Sequence, residues 1–250
     1  MLIGVDIGNS RTVSGKLSGK KVLKRTALPT RELRSYPRAR RWARSLRKAL
    51  GGPDTVVSSV VPGVDGNVKR ALKEIFHKAP IFVDVKGDPG IPIHYKNKSE
   101  IGADRVVNAL AAKALYGAPV IVVDYGTATT FDIVDSRGGY KGGVILPGVG
   151  ISLLALHEKT AKLPLVPFAR VKHPIGLSTR EGIRSGIYFG TLGATREILK
   201  GIRKQLGRSA PAVATGGWCE FFRGTSLFHH IDPDLTLVGL SLYWNERNHG

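Results

Sequence analysis

The sequence predicts an α/β protein made of two similar halves, because one strand-and-turn pattern occurs twice and helical patterns accompany it. In each copy a short apolar strand, Leu2–Val5 or Val120–Val123, runs into a turn that contains an aspartate and a glycine. β-Branched residues follow each turn at alternating positions, which is typical of a β-hairpin. The copies align with Val5 on Val123, Asp6 on Asp124, Gly8 on Gly126 and Thr12 on Thr130. Such a repeat predicts two domains, residues 1–117 and 118–250.

The sequence between and after the two copies supplies further elements of an α/β fold. Residues 106–115 form a helical pattern, for which Ser99 is the expected N-cap and Gly117 the expected terminator. The pair Gly138-Gly139 predicts a tight turn inside the second half. Residues 213–217 predict a late strand that runs into a glycine turn.

The composition is that of an ordinary globular protein. The chain has 250 residues, of which 42% are apolar and 23% charged, so it can bury a sizeable core. The apolar runs are too short to span a bilayer, and the first residues do not have the pattern of a secretory signal. The single cysteine, Cys219, excludes an intrachain disulfide framework. We therefore expect a cytoplasmic protein with no membrane partner.

The formal net charge of +19 is unusual, and it favours anionic partners without choosing among them. The charge is densest in Arg31–Lys48, where eight basic residues accompany one acidic residue, Glu32. Apolar residues recur there at helical spacing after Pro37, which predicts an amphipathic surface helix. The favoured interpretation is a solvated basic face. A nucleic-acid-binding surface remains the minority alternative, because the segment lacks interleaved aromatic residues and a known motif.

The two aspartate-and-glycine turns have the chemistry of a phosphate site. Glycine lets backbone N–H groups approach a phosphate closely, and Asn9, Ser10 or Thr127 can add side-chain donors. A carboxylate at the end of each strand can hold Mg²⁺ or its waters, because hard cations prefer oxygen ligands. One such turn alone is weak evidence, since Asp and Gly are common in turns. We expect the pair to clamp a polyphosphate, and the bare backbone of Gly216-Gly217 to accept an adenine ring.

Together these three elements resemble the two phosphate loops and the adenosine loop of the actin, Hsp70 and sugar kinase superfamily. That resemblance implies an actin-like ATPase fold with duplicated ribonuclease H-like halves, that is, mixed sheets flanked by helices. Further motifs narrow the resemblance to type III pantothenate kinases, and they occur in the order found in that family. These motifs are Ser58–Pro62, Gly102–Ala109, Asp124–Asp132, Tyr140–Gly148, Thr160–Pro164, Ile175–Thr179, Ser185-Gly186, Pro233–Leu235 and Gly239-Leu240.

The resemblance to type III pantothenate kinases implies an activity and a set of site residues. It implies transfer of phosphate from ATP with Mg²⁺ to the hydroxyl of pantothenate, with Asp104 as the general base. It also implies a homodimer, and a monovalent cation (K⁺ or NH₄⁺) at Asp124. The implied substrate-binding residues are Tyr95, Gly102, Ala103, Asp104, Arg105 and Thr179. The implied ATP-binding residues are Asp6, Ile7, Gly8, Asn9, Ser10, Arg11, Thr12, Val13 and Thr127.

Each of these residues also has an ordinary structural interpretation. Asp104 would suit the first turn of a helix, where an acid complements the macrodipole. Arg105 would suit a surface ion pair, and Tyr95 and Thr179 would suit packing or capping. At the level of function, two alternatives stay open. One is a nucleotide-binding regulatory or transcription-accessory protein that uses residues 31–48, and the other is a sugar or small-alcohol kinase of the same superfamily.

Overall fold

The computed structural model describes residues 1–249, which form two compact units. Unit 1 contains Met1–Gly117, Gly138–Lys141 and the C-terminal segment that begins at Asp234. Unit 2 contains Ala118–Arg137 and Gly142–Pro233. The units share the predicted boundary after Gly117 but differ from the predicted domains in two short segments that count with unit 1.

The sheet of unit 1 has five strands in the order β3-β2-β1-β4-β5. Strand β1 lies at its centre, antiparallel to β2 and parallel to β4, and its core-facing residues are fully buried. The strands are β1 (Leu2–Ile7), β2 (Arg11–Ser18), β3 (Lys21–Pro29), β4 (Asp54–Ser59) and β5 (Ile81–Phe82). Antiparallel hairpins thus form one side of the sheet, and parallel crossovers form the other.

The sheet of unit 2 has the corresponding order, β8-β7-β6-β9-β10, with β6 central, antiparallel to β7 and parallel to β9. The strands are β6 (Val120–Tyr125), β7 (Ala128–Val134), β8 (Tyr140–Pro147), β9 (Ala212–Thr215) and β10 (His230–Ile231). The equal strand order, with the same directions on both sides of the central strand, confirms the predicted duplication. The predicted turn at Gly138-Gly139 and the predicted late strand before Gly216 are confirmed as well.

The predicted alignment of the two hairpins is wrong by one residue after the turn. In the first hairpin Ile7 pairs with Thr12, whereas in the second Tyr125 pairs with Thr129. The second turn is therefore one residue shorter, and Thr129 rather than Thr130 is the equivalent of Thr12. Thr129 is followed by a second threonine, Thr130. The two sequences therefore match without a gap, and the shorter turn is not apparent from them.

The helices of unit 1 cover both faces of its sheet. Helices α1 (Tyr36–Leu50) and α2 (Pro62–Phe76) pack on one face, and α3 (Ala103–Tyr116) and α6 (Leu235–His249) contribute to the core on the other. Helix α1 confirms the amphipathic pattern, because its apolar stripe is buried: Ala39, Ala43, Leu46 and Leu50. Its arginines then necessarily lie on the outer face.

Helix α3 starts and ends through glycines. Gly117 has a φ of 81° and its N–H group bonds to the carbonyl of Lys113, as predicted. The predicted N-cap, Ser99, is wrong: the helix begins at Ala103, and Gly102 is its N-cap. Ser99 instead lies in a short 3₁₀ helix, Lys98–Glu100, which Asn97 caps. The start at Ala103 places Asp104 in the first turn of the helix, as its alternative structural interpretation expected.

Helix α6 explains why the C-terminal segment counts with unit 1. The hydroxyl of Thr236 donates a hydrogen bond of 2.7 Å to Oδ1 of Asn108 on α3. Gly239 lies so close to α3 that a Cβ atom there would be 2.6 Å from the carbonyl carbon of Val107. The two helices therefore touch backbone to backbone, which only a residue without a side chain permits.

The core of unit 2 contains a cluster of packed aromatic rings. The ring of Tyr125 stacks on that of Phe222 at 4.3 Å, and Tyr188 stacks on Phe222 at 6.0 Å. Helices α4 (Val149–Glu158) and α5 (Thr179–Leu206) contribute to this core. None of the helices in the described part of the chain combines the length and the apolar character that a bilayer crossing requires.

We expect Gly239→Ala to lower the free energy of unfolding by about 1–3 kcal/mol, the usual cost of overpacking. The added methyl group has to push α6 away from α3. Urea denaturation measures the loss. Gly201→Ala is the matched control: this helical glycine on α5 has nothing within 4 Å of its would-be Cβ, so alanine should stabilise by up to about 1 kcal/mol. Equal stabilities of the two variants would contradict the proposed close contact.

Candidate active site

The first predicted phosphate turn joins β1 to β2 and is held by hydrogen bonds from Thr30. The N–H group of Gly8 bonds to the carbonyl of Arg11 at 3.1 Å, which closes the turn. The hydroxyl of Thr30 donates to the carbonyl of Gly8 at 2.6 Å and contacts the hydroxyl of Thr12 at 3.0 Å. The backbone N–H of Thr30 donates to the carbonyl of Ser10 at 3.1 Å. The tip of the turn is exposed, so a fixed backbone faces solvent.

The carboxylate residue that precedes each turn occupies the same position in both sheets. Asp6 pairs with Ser58 on β4, and Asp124 pairs with Thr215 on β9. Register partners on neighbouring strands project to the same face of a sheet. The hydroxyls of Ser58 and Thr215 are buried, and within residues 1–249 neither has a hydrogen-bond partner. A polar group without a partner beside a carboxylate fits a site that binds a hydrated cation or a nucleotide.

Asp104 lies at the same edge of unit 1 as the first turn. A Cβ atom on Gly102 would collide with the carboxylate of Asp104 and would lie 3.1 Å from Cγ1 of Val60. The N–H group of Val60 in turn donates to the carbonyl of Ile7, at 3.1 Å. This series of contacts places the start of α3 beside the carboxyl ends of β1 and β4. The first turn and the predicted general base are thus brought together within unit 1.

The environment of Asp104 favours its protonated form. Its Oδ1 accepts a 2.8 Å hydrogen bond from the N–H group of Arg105, which stabilises the charged form. Burial acts in the opposite direction and is the larger effect, so the pKa of Asp104 is raised above its usual value. A carboxylate with a raised pKa holds a proton more firmly than an exposed one does.

Arg105 and Tyr95, two predicted substrate contacts, meet at the ring of Tyr140. The guanidinium carbon of Arg105 lies 5.9 Å from the centre of that ring, and the ring of Tyr95 lies 6.2 Å from it. Arg105 is only 7% exposed. Arg105 therefore does not lie on the surface, where the alternative of a surface ion pair would place it. Tyr95 is half-buried, so part of its surface remains accessible.

The second predicted phosphate turn, in unit 2, is surrounded by glycines that approach its backbone. Gly148, the N-cap of α4, lies so close that a Cβ atom there would collide with the carbonyl of Thr127 and lie 2.6 Å from that of Gly126. Gly216 has a φ of 88°, and its Cβ would collide with the carboxylate of Asp124. The turn therefore lies between the start of α4 and the end of β9.

Thr179 is the first residue of α5 and is exposed. It does not cap the helix, because Ser178 accepts the N–H group of Glu181 at 3.3 Å and Glu181 accepts that of Leu177 at 2.7 Å. Ser178 is thus the N-cap of α5, and Glu181 holds the residue before it. In the described part of the chain the Thr179 side chain makes no hydrogen bond, so the capping alternative is not supported.

Among residues 1–249 there is no group of three or more His, Cys, Asp or Glu side chains that could hold a metal ion. Single carboxylates at the ends of β1 and β6 fit instead a cation that is held mainly by a bound nucleotide and water.

Thr30, which holds the first turn, and Tyr140, which contacts Arg105 and Tyr95, were not identified from the sequence. Thr30 lies 22 residues from the glycine whose carbonyl it holds, and no local pattern indicates such a contact. Tyr140 belongs to a motif that carried the resemblance, yet nothing in its spacing indicated that it touches Tyr95 and Arg105. The signal that the sequence offered was a tyrosine that directly follows the Gly138-Gly139 pair.

The predicted basic face forms a groove between α1 and α2. A groove of about 680 Å³ is lined by Tyr36, Pro37, Arg40, Arg41, Arg44, Arg70 and Glu74. Glu74 binds Arg40 at 2.6 Å, and Arg70 lies 3.9 Å over the ring of Tyr36. Arg40 and Arg70 therefore each contact a neighbouring side chain of the groove. This agrees with the favoured interpretation of a solvated basic face. Nucleic-acid binding by this segment stays the minority alternative, which these contacts do not test.

We expect Asp104→Asn to stabilise the fold at neutral pH, because the amide keeps the hydrogen-bond acceptor but removes a charge that burial disfavours. The raised pKa means that the stability the carboxyl contributes is present below its unfolded pKa, near 3.8, and is lost as pH rises through the folded value. The gain of the variant should therefore shrink toward acid pH. Urea denaturation at several pH values measures this, with the exposed Glu197→Gln as control. A variant less stable than wild type at neutral pH would contradict the assignment.

Known proteins with similar structures share this architecture. A conserved Baf family protein from Campylobacter jejuni has a TM-score of 0.63 at 17% identity, and the match covers 98% of both chains. The ROK hexokinase from Thermus thermophilus has a TM-score of 0.52 at 15% identity, with 99% of both chains covered. At these identities the likeness shows the fold alone, and it confirms the predicted architecture of actin-like ATPases and sugar kinases.

Similarity in sequence is more specific. The type III pantothenate kinase of Myxococcus xanthus (strain DK1622) is 38% identical over 255 residues, which cover 100% of this chain and 99% of the relative. That of Solibacter usitatus (strain Ellin6076) is 39% identical over 258 residues, covering 100% and 97%. The family model for type III pantothenate kinase matches residues 2–201. The chain therefore belongs to the type III pantothenate kinase family.

Proposed function

We propose that this protein transfers the γ-phosphoryl group of ATP to the hydroxyl of pantothenate, with Asp104 as the general base. The product is 4'-phosphopantothenate, and the reaction is the first step of coenzyme A biosynthesis. The observation that carries the proposal is the position of Asp104: a half-buried carboxylate at the start of α3, beside the turn that follows β1.

Phosphoryl transfer to a hydroxyl group is helped by a base that lies next to a fixed phosphate site. The hydroxyl oxygen of pantothenate attacks the γ-phosphorus, the bond from that phosphorus to the β,γ-bridging oxygen breaks, and ADP leaves. The hydroxyl proton passes to Asp104. Burial raises the pKa of Asp104 above its usual value, which strengthens it as a proton acceptor. A base works best when its pKa approaches the working pH.

The remaining residues of unit 1 suit an anionic substrate. Arg105 offers a guanidinium group for the pantothenate carboxylate, and such pairs are strong when partly desolvated. Tyr95 offers a half-buried ring and hydroxyl. Gly102 and Ala103, at the start of α3, offer backbone at the positive end of a helix. Thr179 of unit 2 adds an exposed hydroxyl that capping does not use.

The two turns suit ATP. Residues Asp6–Val13 supply the first loop, and Thr127 supplies a contact from the second. Mg²⁺ bound with the nucleotide would neutralise charge on the phosphates, and the carboxylate of Asp6 would hold it or its waters. We assign a monovalent cation, K⁺ or NH₄⁺, to Asp124. The buried hydroxyl of Thr215 beside it supports that assignment.

We also propose that the protein acts as a homodimer in the cytoplasm. Support for a partner comes from unit 2, where Ile175 is 81% and Leu177 93% exposed. Large apolar side chains that are exposed so fully and lie close together in the sequence often mark an interface. These two residues lie just before Thr179, so a partner seated on them would also approach a proposed substrate contact.

A kinase explains the structure better than a regulatory nucleotide-binding protein. A pure binder has no need of a half-buried carboxylate whose pKa is raised by burial. A kinase for another small alcohol would need the two turns but not the substrate set around Arg105, and the family membership of the chain favours pantothenate.

Replacing Asp104 by asparagine tests the role of the base. We expect kcat for pantothenate phosphorylation to fall by about 10²–10⁴-fold, the usual contribution of a general base. ATP binding should persist, since the residue lies outside both turns. A coupled ADP assay measures turnover, and calorimetry measures ATP affinity. The exposed Glu197→Gln should remain fully active. Near-normal turnover by Asp104→Asn would remove Asp104 as the base.

Replacing Gly148 by alanine tests the second turn. The new methyl group would displace the carbonyls of Gly126 and Thr127, so we expect ATP affinity to fall about tenfold, equivalent to ~1.4 kcal/mol. Gly150→Ala is the matched control, because this glycine lies on the same helix with nothing within 4 Å of its would-be Cβ. Equal ATP affinity of the two variants would argue against nucleotide binding at this turn.

A further inference from the structure

Tyr140 is fully buried, with 0% exposure, and its backbone holds the segment that leads to Tyr95. Its N–H group donates to the carbonyl of Pro92 at 2.7 Å, and its carbonyl accepts the N–H group of His94 at 2.8 Å. Ile93 and Tyr140 thereby form an isolated parallel bridge. Tyr95 follows directly, so its position depends on this pairing.

The turn before Tyr140 is built for that approach. A Cβ atom on Gly139 would lie 2.5 Å from the imidazole ring of His94. Gly138 has a φ of 78°, and a Cβ there would lie 2.8 Å from Cε of Lys113, on α3. Two successive glycines therefore let the chain pass between the 92–95 segment and α3 without a collision, and deliver the ring of Tyr140 to the space between them.

The ring of Tyr140 lies between two residues that the proposed function assigns to pantothenate. Tyr95 contacts it at 6.2 Å with the ring planes tilted by 50°, which is a favourable aromatic geometry. The guanidinium carbon of Arg105 lies 5.9 Å from its centre, within the range of cation–π attraction. A buried guanidinium needs such compensation, because it has lost most of its water.

We propose that Tyr140 is a positioning residue for substrate recognition: its ring fixes Arg105 and Tyr95 in the orientation that receives the carboxylate end of pantothenate. This inference rests on the proposed function. Tyr140 is too deeply buried to be assigned a substrate contact of its own, so it acts through its two neighbours. Loss of the ring should then affect pantothenate binding far more than ATP binding.

The test compares three substitutions of Tyr140. Tyr140→Phe keeps the ring, whereas Tyr140→Leu and Tyr140→Met keep apolar volume and the backbone hydrogen bonds but remove the ring. We expect the Leu and Met variants to raise KM for pantothenate about tenfold or more, with KM for ATP within about twofold of wild type. The Phe variant should restore most of the pantothenate affinity.

Tyr243→Leu is the matched control. Tyr243 is likewise a buried tyrosine of unit 1 with an arginine over its ring, since Arg247 lies 5.1 Å from its centre. It lies outside the proposed substrate set. We expect this variant to lose stability but to leave the ratio of the two KM values unchanged. Calorimetric titration of each folded variant with pantothenate provides a second reading that does not need turnover.

Several outcomes would overturn the role of Tyr140. They are an unchanged KM for pantothenate in the Leu and Met variants, an equal rise in both KM values, the same selective rise in Tyr243→Leu, and failure of both ring-less variants to fold, which would make Tyr140 a structural residue. Wild-type activity separates this inference from the proposed function. Wild type that does not phosphorylate pantothenate refutes the function, whereas active wild type with unselective variants refutes only the positioning role.

Discussion

Backbone pairing on both sides of a central strand fixes the two carboxylates on which this structure depends. Asp6 and Asp124 each end a strand that is hydrogen-bonded to an antiparallel neighbour and to a parallel one. Their side chains cannot shift along the sheet without breaking both ladders. The turn follows at once, so its N–H groups stay beside the carboxylate. Buried hydroxyls at matching positions, Ser58 and Thr215, show that the duplication extends to polar detail as well as to strand order.

Close approach through glycine connects these strands to their surroundings. Gly102 makes room for the carboxylate of Asp104, Gly148 for the carbonyls of the second turn, and Gly216 for the carboxylate of Asp124. In each case a Cβ atom would occupy the space of a polar group assigned to the site. Glycine loses more conformational entropy on folding than other residues do. At these positions that cost accompanies a close approach of backbone and polar groups, which a side chain would prevent. This arrangement suits the phosphates of a nucleotide, which backbone N–H groups bind well.

The sequence predicted the elements whose cause is local. Apolar runs with period two and glycine turns gave both hairpins, and the helical stripe of residues 39–50 gave α1. What it missed depends on contacts between distant residues. The shorter second turn follows from register, the later start of α3 from the packing of Gly102 on Val60, and the return of α6 to unit 1 from its contact with α3. Most residues of the candidate site were identified through the family resemblance, whereas Thr30 and Tyr140 act through long-range contacts that no local pattern reveals.

Asp104 and Arg105 illustrate how stability is exchanged for chemistry at this site. Both are largely removed from water, and the positive charge of Arg105 offsets only part of the effect of burial on the pKa of Asp104. The fold compensates each separately. Asp104 receives a backbone N–H group and the positive end of α3, and Arg105 receives the face of Tyr140. Burial still leaves the pKa of Asp104 raised. This carboxyl therefore takes up a proton more readily than an exposed one does, which suits the proposed role of a base toward the hydroxyl of pantothenate.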